Sequence, residues 1–496
     1  MARMEAAVRP NIVILFADQL RADALGCYGN RMTETPAIDA IAGAGTRYDS
    51  AYTPSPVCVP ARSSFITGLE PQHGECFDNE MPMSQASTFM DDLSAAGYRT
   101  HGVGKMHFTP DGSALRGFQT RDTGEEFGTS ETDDYLGFVA SHGFEHVEHP
   151  HGLRDEMYYV PQLSPVPEHL HHTHWVADKS IEFLAGHDHD QPFLLWSSFI
   201  APHPPFAPPS PWHRRFEPSV MPAPFIPEGS DSLLTVFNRL QNRYKYRDGG
   251  TDRRLEQLRA AYYYASVSYL DSQIARITAE LDRAGLRENT VVVVTADHGE
   301  FLGDYGAYGK RSFLDAAARI PLVISGPGIA HESRQEPVTL LDVRPTLLSL
   351  AGVEHETRDG ATLLPNPPQN RAVYGQFQDG ELGLYAVITA EWKYIWSAFD
   401  RAEFLVDRVH DSRETMNVAY NPRRADVLAT MRALASEHFE DLHATDFAAL
   451  SSNVPLRLGE RPSVDLTRAL QALERDPESS TLVVRGGPWA PSTVER

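Results

Sequence analysis

The chain has few cysteines, a shortage of positive charge and no long apolar run, and each shortage excludes a class of protein. Its 496 residues include three cysteines, Cys27, Cys58 and Cys76, which are too few for a disulfide scaffold. Lysine and arginine number 44 against 67 aspartates and glutamates, so the formal net charge is −23. This excess of negative charge argues against a nucleic-acid partner and against binding to an anionic membrane surface.

The sequence also has no recognisable membrane span or secretory leader. No apolar run approaches the roughly 20 residues that a transmembrane helix needs. The first ten residues carry two arginines and no apolar segment. We therefore expect a cytoplasmic protein, although a leader trimmed from the chain would leave the same sequence. In that compartment a disulfide between Cys27 and Cys76 is not expected.

Short apolar runs alternate with helical patterns along most of the chain. Runs typical of strands buried on both faces of a parallel sheet cover residues 11–17, 97–103, 193–200, 290–295 and 320–325. Apolar residues at helical spacing predict helices at residues 175–185, 255–284 and 343–351. This alternation predicts an α/β fold, in which ligands bind outside the carboxyl ends of the strands.

Two breaks interrupt this pattern. A proline-rich connection at residues 201–227 is either a functional loop or a surface excursion over the sheet. A second break at residues 359–371 precedes strand patterns at 384–389 and 393–396 and a helical pattern at 424–444. We predict a large α/β domain over residues 1–370 and a smaller α+β domain over residues 371–496. The tail, residues 479–496, could pack on a neighbouring subunit of a homo-oligomer or on its own chain.

The segment Cys58-Val59-Pro60-Ala61-Arg62 has the most chemical content. Pro60 suits the first turn of a helix, which would put Cys58 at the helix N-terminus, where anions and thiolates are stabilised. Arg62 lies one turn further on and can point back to the same place. The alternative is that Cys58 is a small buried apolar residue.

Polar residues follow several of the predicted strands. Asp18 and Gln19 follow the first strand, and Asp297 and His298 follow the strand at 290–295. These side chains form a set that can hold one divalent cation, although an aspartate after a strand is as often a helix N-cap. Cations and proton donors come after further strands or near them: Lys105, His107, His203 and Lys310. Each of these residues alone would more often be a surface residue or a hydrogen-bonded one. Together they predict cations and proton donors around one cysteine.

A histidine-rich segment offers a second candidate for metal binding. His169, His171, His172 and His174 are close in sequence, but they precede a predicted helix and no matching acidic set faces them. We do not expect a metal there.

On these motifs the sequence resembles the type I sulfatases of the alkaline phosphatase superfamily. The matching segments, in chain order from residue 11 to about residue 418, are NIVILFADQLRADALGCYGN, CVPARSSFITG, GYRTHGVGKMHF, FIAPHPPF, TADHGEFLGDYGAYGKRSF, RIPLVISGPG, LLDVRPTLLSLAG and FLVDRVHDSRETMNVA. The C-x-P-x-R motif with its downstream Thr67-Gly68 is the most specific of them. The resemblance implies an alkaline-phosphatase-like fold: a large mixed, mostly parallel sheet sandwiched by helices, with a smaller C-terminal α+β domain.

The resemblance also implies a modified residue and a metal ion. Cys58 would be oxidised to formylglycine by a maturation enzyme, and its hydrated aldehyde would attack the sulfur of a sulfate ester and later expel sulfate. Asp18, Gln19, residue 58, Asp297 and His298 would bind one divalent ion. Calcium is the family default, and manganese or magnesium is the alternative.

Further roles follow from the resemblance, position by position. Arg62 would stabilise the formylglycine hydrate, and Lys105 and Lys310 would bind sulfate oxygens. His107 would act as the base that releases sulfate. His203 would be the general acid at the leaving oxygen, or a passive sulfate donor.

Departures from the commonest family pattern bear on the substrate. Many members have Asp-Asp and Asp-Asn where this chain has Asp18-Gln19 and Asp297-His298, a variant typical of choline sulfatases and phosphonate monoester hydrolases. The pair Lys105 and His107, which the phosphonate hydrolases typically lack, favours a sulfate ester of a small molecule or a carbohydrate. The alternatives are a phosphonate monoester or phosphodiester hydrolase and, in another class, a binding protein without turnover.

Overall fold

The computed structural model of the chain describes residues 9–154, 157–188, 190–245 and 252–443. Its α-helices in these ranges are α1 (Pro36–Gly43), α2 (Cys58–Thr67), α3 (Pro71–Gly74), α4 (Phe89–Ala95), α5 (Asp134–Val139), α6 (His172–Ala185), α7 (Val236–Lys245), α8 (Arg253–Arg283), α9 (Asp315–Ala318), α10 (Val343–Leu350) and α11 (Ala425–His438). Its strands are β1 (Asn11–Asp18), β2 (Gly45–Tyr48), β3 (Ala51–Tyr52), β4 (Arg99–Gly104), β5 (Thr120–Thr123), β6 (Phe193–Pro202), β7 (Thr290–Ala296), β8 (Leu322–Ser325), β9 (Glu332–Arg334), β10 (Val338–Thr339), β11 (Val373–Phe377), β12 (Leu384–Ile388), β13 (Trp392–Ser397) and β14 (Ala402–Asp407). Among the helices of these ranges, none combines the length and the apolar character that crossing a membrane requires.

Eight of these strands form one mixed sheet in the order β5-β4-β6-β1-β7-β8-β2-β9. Neighbours from β5 to β7 are all parallel, as are β2 and β9, whereas β8 runs antiparallel to both β7 and β2. The prediction of a mixed, mostly parallel sheet is therefore confirmed.

Helices cover both faces of this sheet, as neighbouring side chains of β6 show. The ring of Trp196 lies 5.1 Å from Phe65 of α2 and 6.2 Å from Phe89 of α4. The next residue, Ser197, points to the other face, where its hydroxyl lies 2.7 Å from that of Ser180 in α6. The long helix α8 packs on β6 and α6. Burial on both faces explains why these strands are unbroken apolar runs.

The five predicted strands are all present, with small differences at their ends. Strand β4 begins at Arg99, because Gly97 is in a turn with φ of +91°. Strand β8 begins at Leu322, directly after Pro321, which has no N–H for a strand ladder. Helix α6 begins three residues earlier than predicted, at His172, and His171 caps it by accepting a hydrogen bond from Thr173 N.

A smaller sheet of four antiparallel strands, β11 to β14, follows near the C-terminal end of the described residues. Helix α11 packs on β12 and β13, so this part has the predicted α+β character. The predicted helix at 424–444 is wrong at its end, because α11 stops at His438 and Phe439 is extended. The apolar pattern continues because Phe439 and Leu442 pack in the cluster beside this sheet. The boundary at residue 370 stays a prediction, and the tail 479–496 lies outside the described residues.

Candidate active site

Four adjacent parallel strands, β4, β6, β1 and β7, end at the same edge of the large sheet. Lys105 follows β4, His203 follows β6, Asp18 is the last residue of β1, and Asp297 follows β7. All four side chains are buried. Because ligands of α/β sheets bind at the carboxyl ends of strands, this edge is the candidate active site.

Cys58 lies at this edge as the first residue of α2, with 1% of its surface exposed. Val57 precedes the helix in extended conformation, and Pro60 lies in the first turn, where a missing N–H costs nothing. The N–H of Val59 donates to the side-chain oxygen of Asn79 at 2.9 Å. The thiol is therefore at the positive end of a helix, as the motif predicted.

Positive groups surround the thiol. Lys310 Nζ lies 2.7 Å and His298 Nε2 3.2 Å from Cys58 Sγ. Burial raises the pKa of the Cys58 thiol, but the charges of Lys310, Lys105 and His298 outweigh burial and bring that pKa well below its usual value. The place that residue 58 occupies therefore favours negative charge.

Arg62 crosses beneath the site with no exposed surface. Its guanidinium lies 3.0 Å from Asp297 Oδ2 and 3.3 Å from Asp18 Oδ2. It also donates to the carbonyl of Lys105 at 2.6 Å and to the hydroxyl of Ser198 at 3.1 Å. Arg62 thus ties β1, β4, β6 and β7 together at this edge of the sheet.

The predicted metal ligands converge. One ligand atom each from Asp18, Cys58, Asp297 and His298 lies within 4.8 Å of the others, the one such group among the residues that the structure describes. The side-chain oxygen of Gln19 is buried and has no hydrogen-bond partner there, while its amide nitrogen donates to Glu300. Two carboxylates and an imidazole at residue 58, with the unpaired buried amide oxygen of Gln19 as a further donor, are a set that fits one divalent cation.

His107 also reaches the thiol, and its hydrogen bond contributes to the lowered pKa of Cys58. Its backbone has φ of +57°, in the left-handed region. The carboxylate of Glu125 holds this turn by accepting from the N–H groups of Met106 at 2.9 Å and His107 at 3.0 Å. His107 was predicted at the site, whereas Glu125 was not.

His203 follows β6 at the same edge of the sheet. Its Nε2 is 3.2 Å from the hydroxyl of Tyr158, and its Nδ1 is 3.0 Å from Glu126 Oε1. Burial lowers the pKa of His203, but the charges of Glu126 and Asp18, together with the contact to Cys58, outweigh burial and raise that pKa. Lys105 forms ion pairs with Asp18 and with Glu126, the latter at 3.1 Å, and these two carboxylates raise its pKa despite burial.

Several residues of the site were missed. Glu126 follows β5, a strand with a charged pair in its centre that the search for apolar runs did not detect. Arg154 and Tyr158 come from a connection without a local signal, and Arg154 lies 3.2 Å from Glu126. Glu300 lies in the same segment as Asp297 and His298, but no role was predicted for it. Its carboxylate accepts hydrogen bonds from the side chain of Gln19 and, at 2.6 Å, from the N–H of Gly309, the residue before Lys310.

The other candidate features have structural explanations. All three cysteines are free thiols, so Cys27 and Cys76 are not paired. His172 Nε2 donates to the carbonyl of Gly124 at 2.9 Å, and burial lowers the pKa of His172 to about 3. Among the described residues, the histidine-rich segment contributes no ligand to a group of converging metal ligands.

Comparisons with known proteins agree with this geometry. The sequence profile described as Sulfatase matches residues 10–353, more than half of the chain. The chain belongs to the sulfatase family. The predicted resemblance and the prediction of a sulfuric ester hydrolase are confirmed.

Two curated relatives and one solved structure illustrate the similarity of this sulfatase to others. It is 30% identical to a choline-sulfatase of Rhizobium meliloti (strain 1021) over 477 residues, covering 90% of this chain and 89% of the relative. It is 27% identical to an arylsulfatase of Clostridium perfringens over 459 residues, covering 87% and 95%. The phosphonate monoester hydrolase of Agrobacterium radiobacter has the same fold, with a TM-score of 0.75, 24% identity and coverage of 86% and 96%.

Proposed function

We propose that this sulfatase hydrolyses a sulfate ester at residue 58, in the form of formylglycine, with one divalent ion and the two lysines that face this residue. The observation that carries the proposal is the convergence on Cys58 of Lys310 and of the group Asp18, Asp297 and His298. A sulfate ester is an anion whose negative charge must be held while the ester bond breaks. Lys105 and Lys310 supply that charge in a buried setting.

The divalent ion would be held by Asp18, Gln19, Asp297 and His298 together with residue 58. When bound, it supplies a Lewis acid that polarises the ester and activates the hydroxyl of the nucleophile. Calcium is the ion that we favour for these mostly oxygen ligands, and manganese is the main alternative because His298 adds an imidazole.

The remaining residues act on protons and on charge. Arg62 holds Asp18 and Asp297 in place and faces the hydrated residue 58. His107, which reaches residue 58, acts as the base that lets sulfate leave. His203 gives a proton to the leaving oxygen from Nε2, the nitrogen on the side of Tyr158.

The pair Lys105 and His107 favours a sulfate ester over a phosphonate monoester. Both side chains lie at the site in addition to the ligand set, whose pattern is typical of choline sulfatases and phosphonate monoester hydrolases. We propose an aryl, choline or sugar sulfate as the natural substrate class, without preference among the three.

The experiment that tests the proposal combines mass spectrometry of residue 58 with activity assays. The peptide containing residue 58 is analysed by mass spectrometry, and the same preparation is assayed with an aryl sulfate and with a matched phosphonate monoester. Conversion of the thiol to an aldehyde makes the peptide about 18 Da lighter. A lighter peptide, sulfate release and a higher kcat/KM for the sulfate support the proposal.

Two outcomes would contradict the proposal. A higher kcat/KM for the phosphonate would make the chain a phosphonate hydrolase with the same site. A thiol that stays intact and inactive after co-expression with a formylglycine-generating enzyme would make it a binding protein.

A further inference from the structure

A carboxylate that neither the motifs nor the ligand set includes lies against two of the reacting groups. Glu126 follows β5, and 5% of its side chain is exposed. Its Oε1 lies 3.0 Å from His203 Nδ1, 3.1 Å from Lys105 Nζ and 3.2 Å from a guanidinium nitrogen of Arg154. Three potentially cationic side chains thus share one buried carboxylate oxygen.

The segment that carries Glu126 is held firmly. The N–H of the preceding residue, Glu125, donates to Asp133 at 2.7 Å, and the carboxylate of Glu125 accepts from the N–H groups of Met106 and His107. The Glu125 carboxylate is therefore committed to the turn that contains Lys105. Glu126 points instead to the side chains of Lys105 and His203.

The surroundings of His203 assign its two nitrogens. Nδ1 lies between two acceptors, the carbonyl of Pro204 at 2.7 Å and the carboxylate of Glu126, so Nδ1 carries a hydrogen. Nε2 is left on the opposite side, near the hydroxyl of Tyr158 and residue 58. An imidazole whose Nδ1–H donates to the Pro204 carbonyl and lies 3.0 Å from the Glu126 carboxylate has a fixed ring orientation and presents Nε2 to the substrate.

The Glu126 carboxylate also compensates the positive charges of the side chains around it. Lys105 and Arg154 are positive, and His203 becomes positive whenever Nε2 also carries a proton. Without Glu126, three like charges would lie close together in a buried place, which is costly. Arg154 is itself held in place, with its guanidinium 4.7 Å from the ring centre of Phe127 and 5.5 Å from that of Tyr158.

We infer that Glu126 is a positioning residue of the reaction, which orients His203 to give its proton to the leaving oxygen and holds Lys105 at the sulfate. The inference rests on the proposed function. Glu126 touches neither the ester nor the ion, and it acts through His203 and Lys105. It also decides between the two roles of His203, because a ring held this way is a proton donor and not merely a neutral contact to sulfate.

The test uses the dependence of the rate on the leaving group. The full-length protein and its Glu126→Gln variant, both with measured formylglycine and metal content, are assayed with phenyl sulfate and with 4-nitrophenyl sulfate. Phenolate is the more basic leaving group and needs the proton more. We expect kcat for phenyl sulfate to fall about 100-fold or more, and kcat for 4-nitrophenyl sulfate about 10-fold or less, with KM little changed.

Two further variants separate positioning from folding. Glu126→Asp keeps the charge and should recover part of the loss with phenyl sulfate. Glu403→Gln removes another buried carboxylate, paired with Arg432 in the C-terminal sheet, and should lower the melting temperature without any dependence on the leaving group. If Glu126→Gln does not fold, the Glu126→Asp variant gives the same comparison of esters.

The outcomes are distinct. Equal losses for both esters in the Glu126 variants, or no loss, would overturn the inference and leave Glu126 with a structural role. A wild-type protein that carries formylglycine and metal but releases sulfate from neither ester would overturn the proposed function, and the inference with it. A larger loss for phenyl sulfate together with recovery in Glu126→Asp supports the inference.

Discussion

Replacement of Arg62 by methionine should destabilise the protein far more than removal of another buried arginine. The guanidinium of Arg62 has no exposed surface and pairs with Asp18 and Asp297, which are equally buried. Its carbon CZ lies 4.8 Å from the ring centre of Phe16, so an apolar side chain of similar length has a place to pack. What the variant loses is therefore charge and hydrogen bonding more than volume.

The magnitude follows from the two carboxylates that remain. Removing one partner of a buried ion pair costs about 3–5 kcal/mol when the other charge stays buried without compensation. Asp18 keeps its ion pair with Lys105, so Asp297 is the carboxylate that loses its arginine partner without another Lys or Arg pair among the described residues. Against a total stability of about 5–15 kcal/mol, this loss is large. A bound divalent ion gives positive charge to the same carboxylates, so added calcium should stabilise the variant more than it stabilises the wild type.

The assay is urea unfolding of both proteins, once with a chelator and once with calcium. Arg344→Met is the matched control: Arg344 is also buried, but its partner Asp92 is 25% exposed at the side chain and stays in contact with water. The reasoning would be refuted if, in the presence of the chelator, Arg62→Met lowered the free energy of unfolding no more than Arg344→Met does. If calcium stabilises the wild type and Arg62→Met equally, the ion does not compensate the two carboxylates in the variant.

Three further predictions concern the nucleophile, the ion and acid stability. Cys58→Ala should abolish turnover and leave the unfolding curve nearly unchanged, and near-normal activity in that variant would contradict the proposed reaction. His298→Ala should contain less metal in elemental analysis, because His298 is one of four converging ligands; an unchanged content would remove it from the ligand set. Burial lowers the pKa of His172 from 6.5 to about 3, so the stability that its neutral form contributes is complete above about pH 6.5 and is lost as the pH falls toward 3. The melting temperature of the wild type should therefore fall more between pH 7 and pH 5 than that of His172→Gln, which cannot gain the proton; equal losses would show that His172 is not responsible.

The strands of the site could be predicted because their composition is a direct result of burial. Strand β7 is an apolar, β-branched run from Val291 to Val294 that both faces of the sheet enclose. Once such runs are located, the residues after them are candidates by a general property of parallel sheets. This reasoning identified Asp18, Lys105, His203 and Asp297. The order β4-β6-β1-β7, which makes them neighbours, depends on contacts between distant segments and has no local signal.

Glu126 was missed for a physical reason. Strand β5 is at the edge of the sheet and pairs with β4 alone, so it is half exposed and tolerates Arg121 and Asp122 in its middle. An apolar run is therefore absent although the backbone is a strand. The end of helix α11 shows the opposite case. The apolar pattern continues past His438, but the helix ends at this residue. There the imidazole of His438 contacts Glu70 at 2.6 Å and stacks on the ring of Tyr374, and neither contact has a signal in the local sequence.

The chain is acidic overall, yet several buried cations lie at the site, and most of them are paired with carboxylates. Lys105 is paired with Asp18 and Glu126, and Arg62 with Asp18 and Asp297, so burying these two cations is compensated by carboxylates. Lys310 differs: within the described part of the chain it forms no ion pair with a carboxylate, and its ammonium faces residue 58 and His298. Of the two lysines that we propose to hold the ester, Lys310 is thus the one without a carboxylate partner among the described residues. The net charge of −23 does not argue against an anionic ester as the substrate.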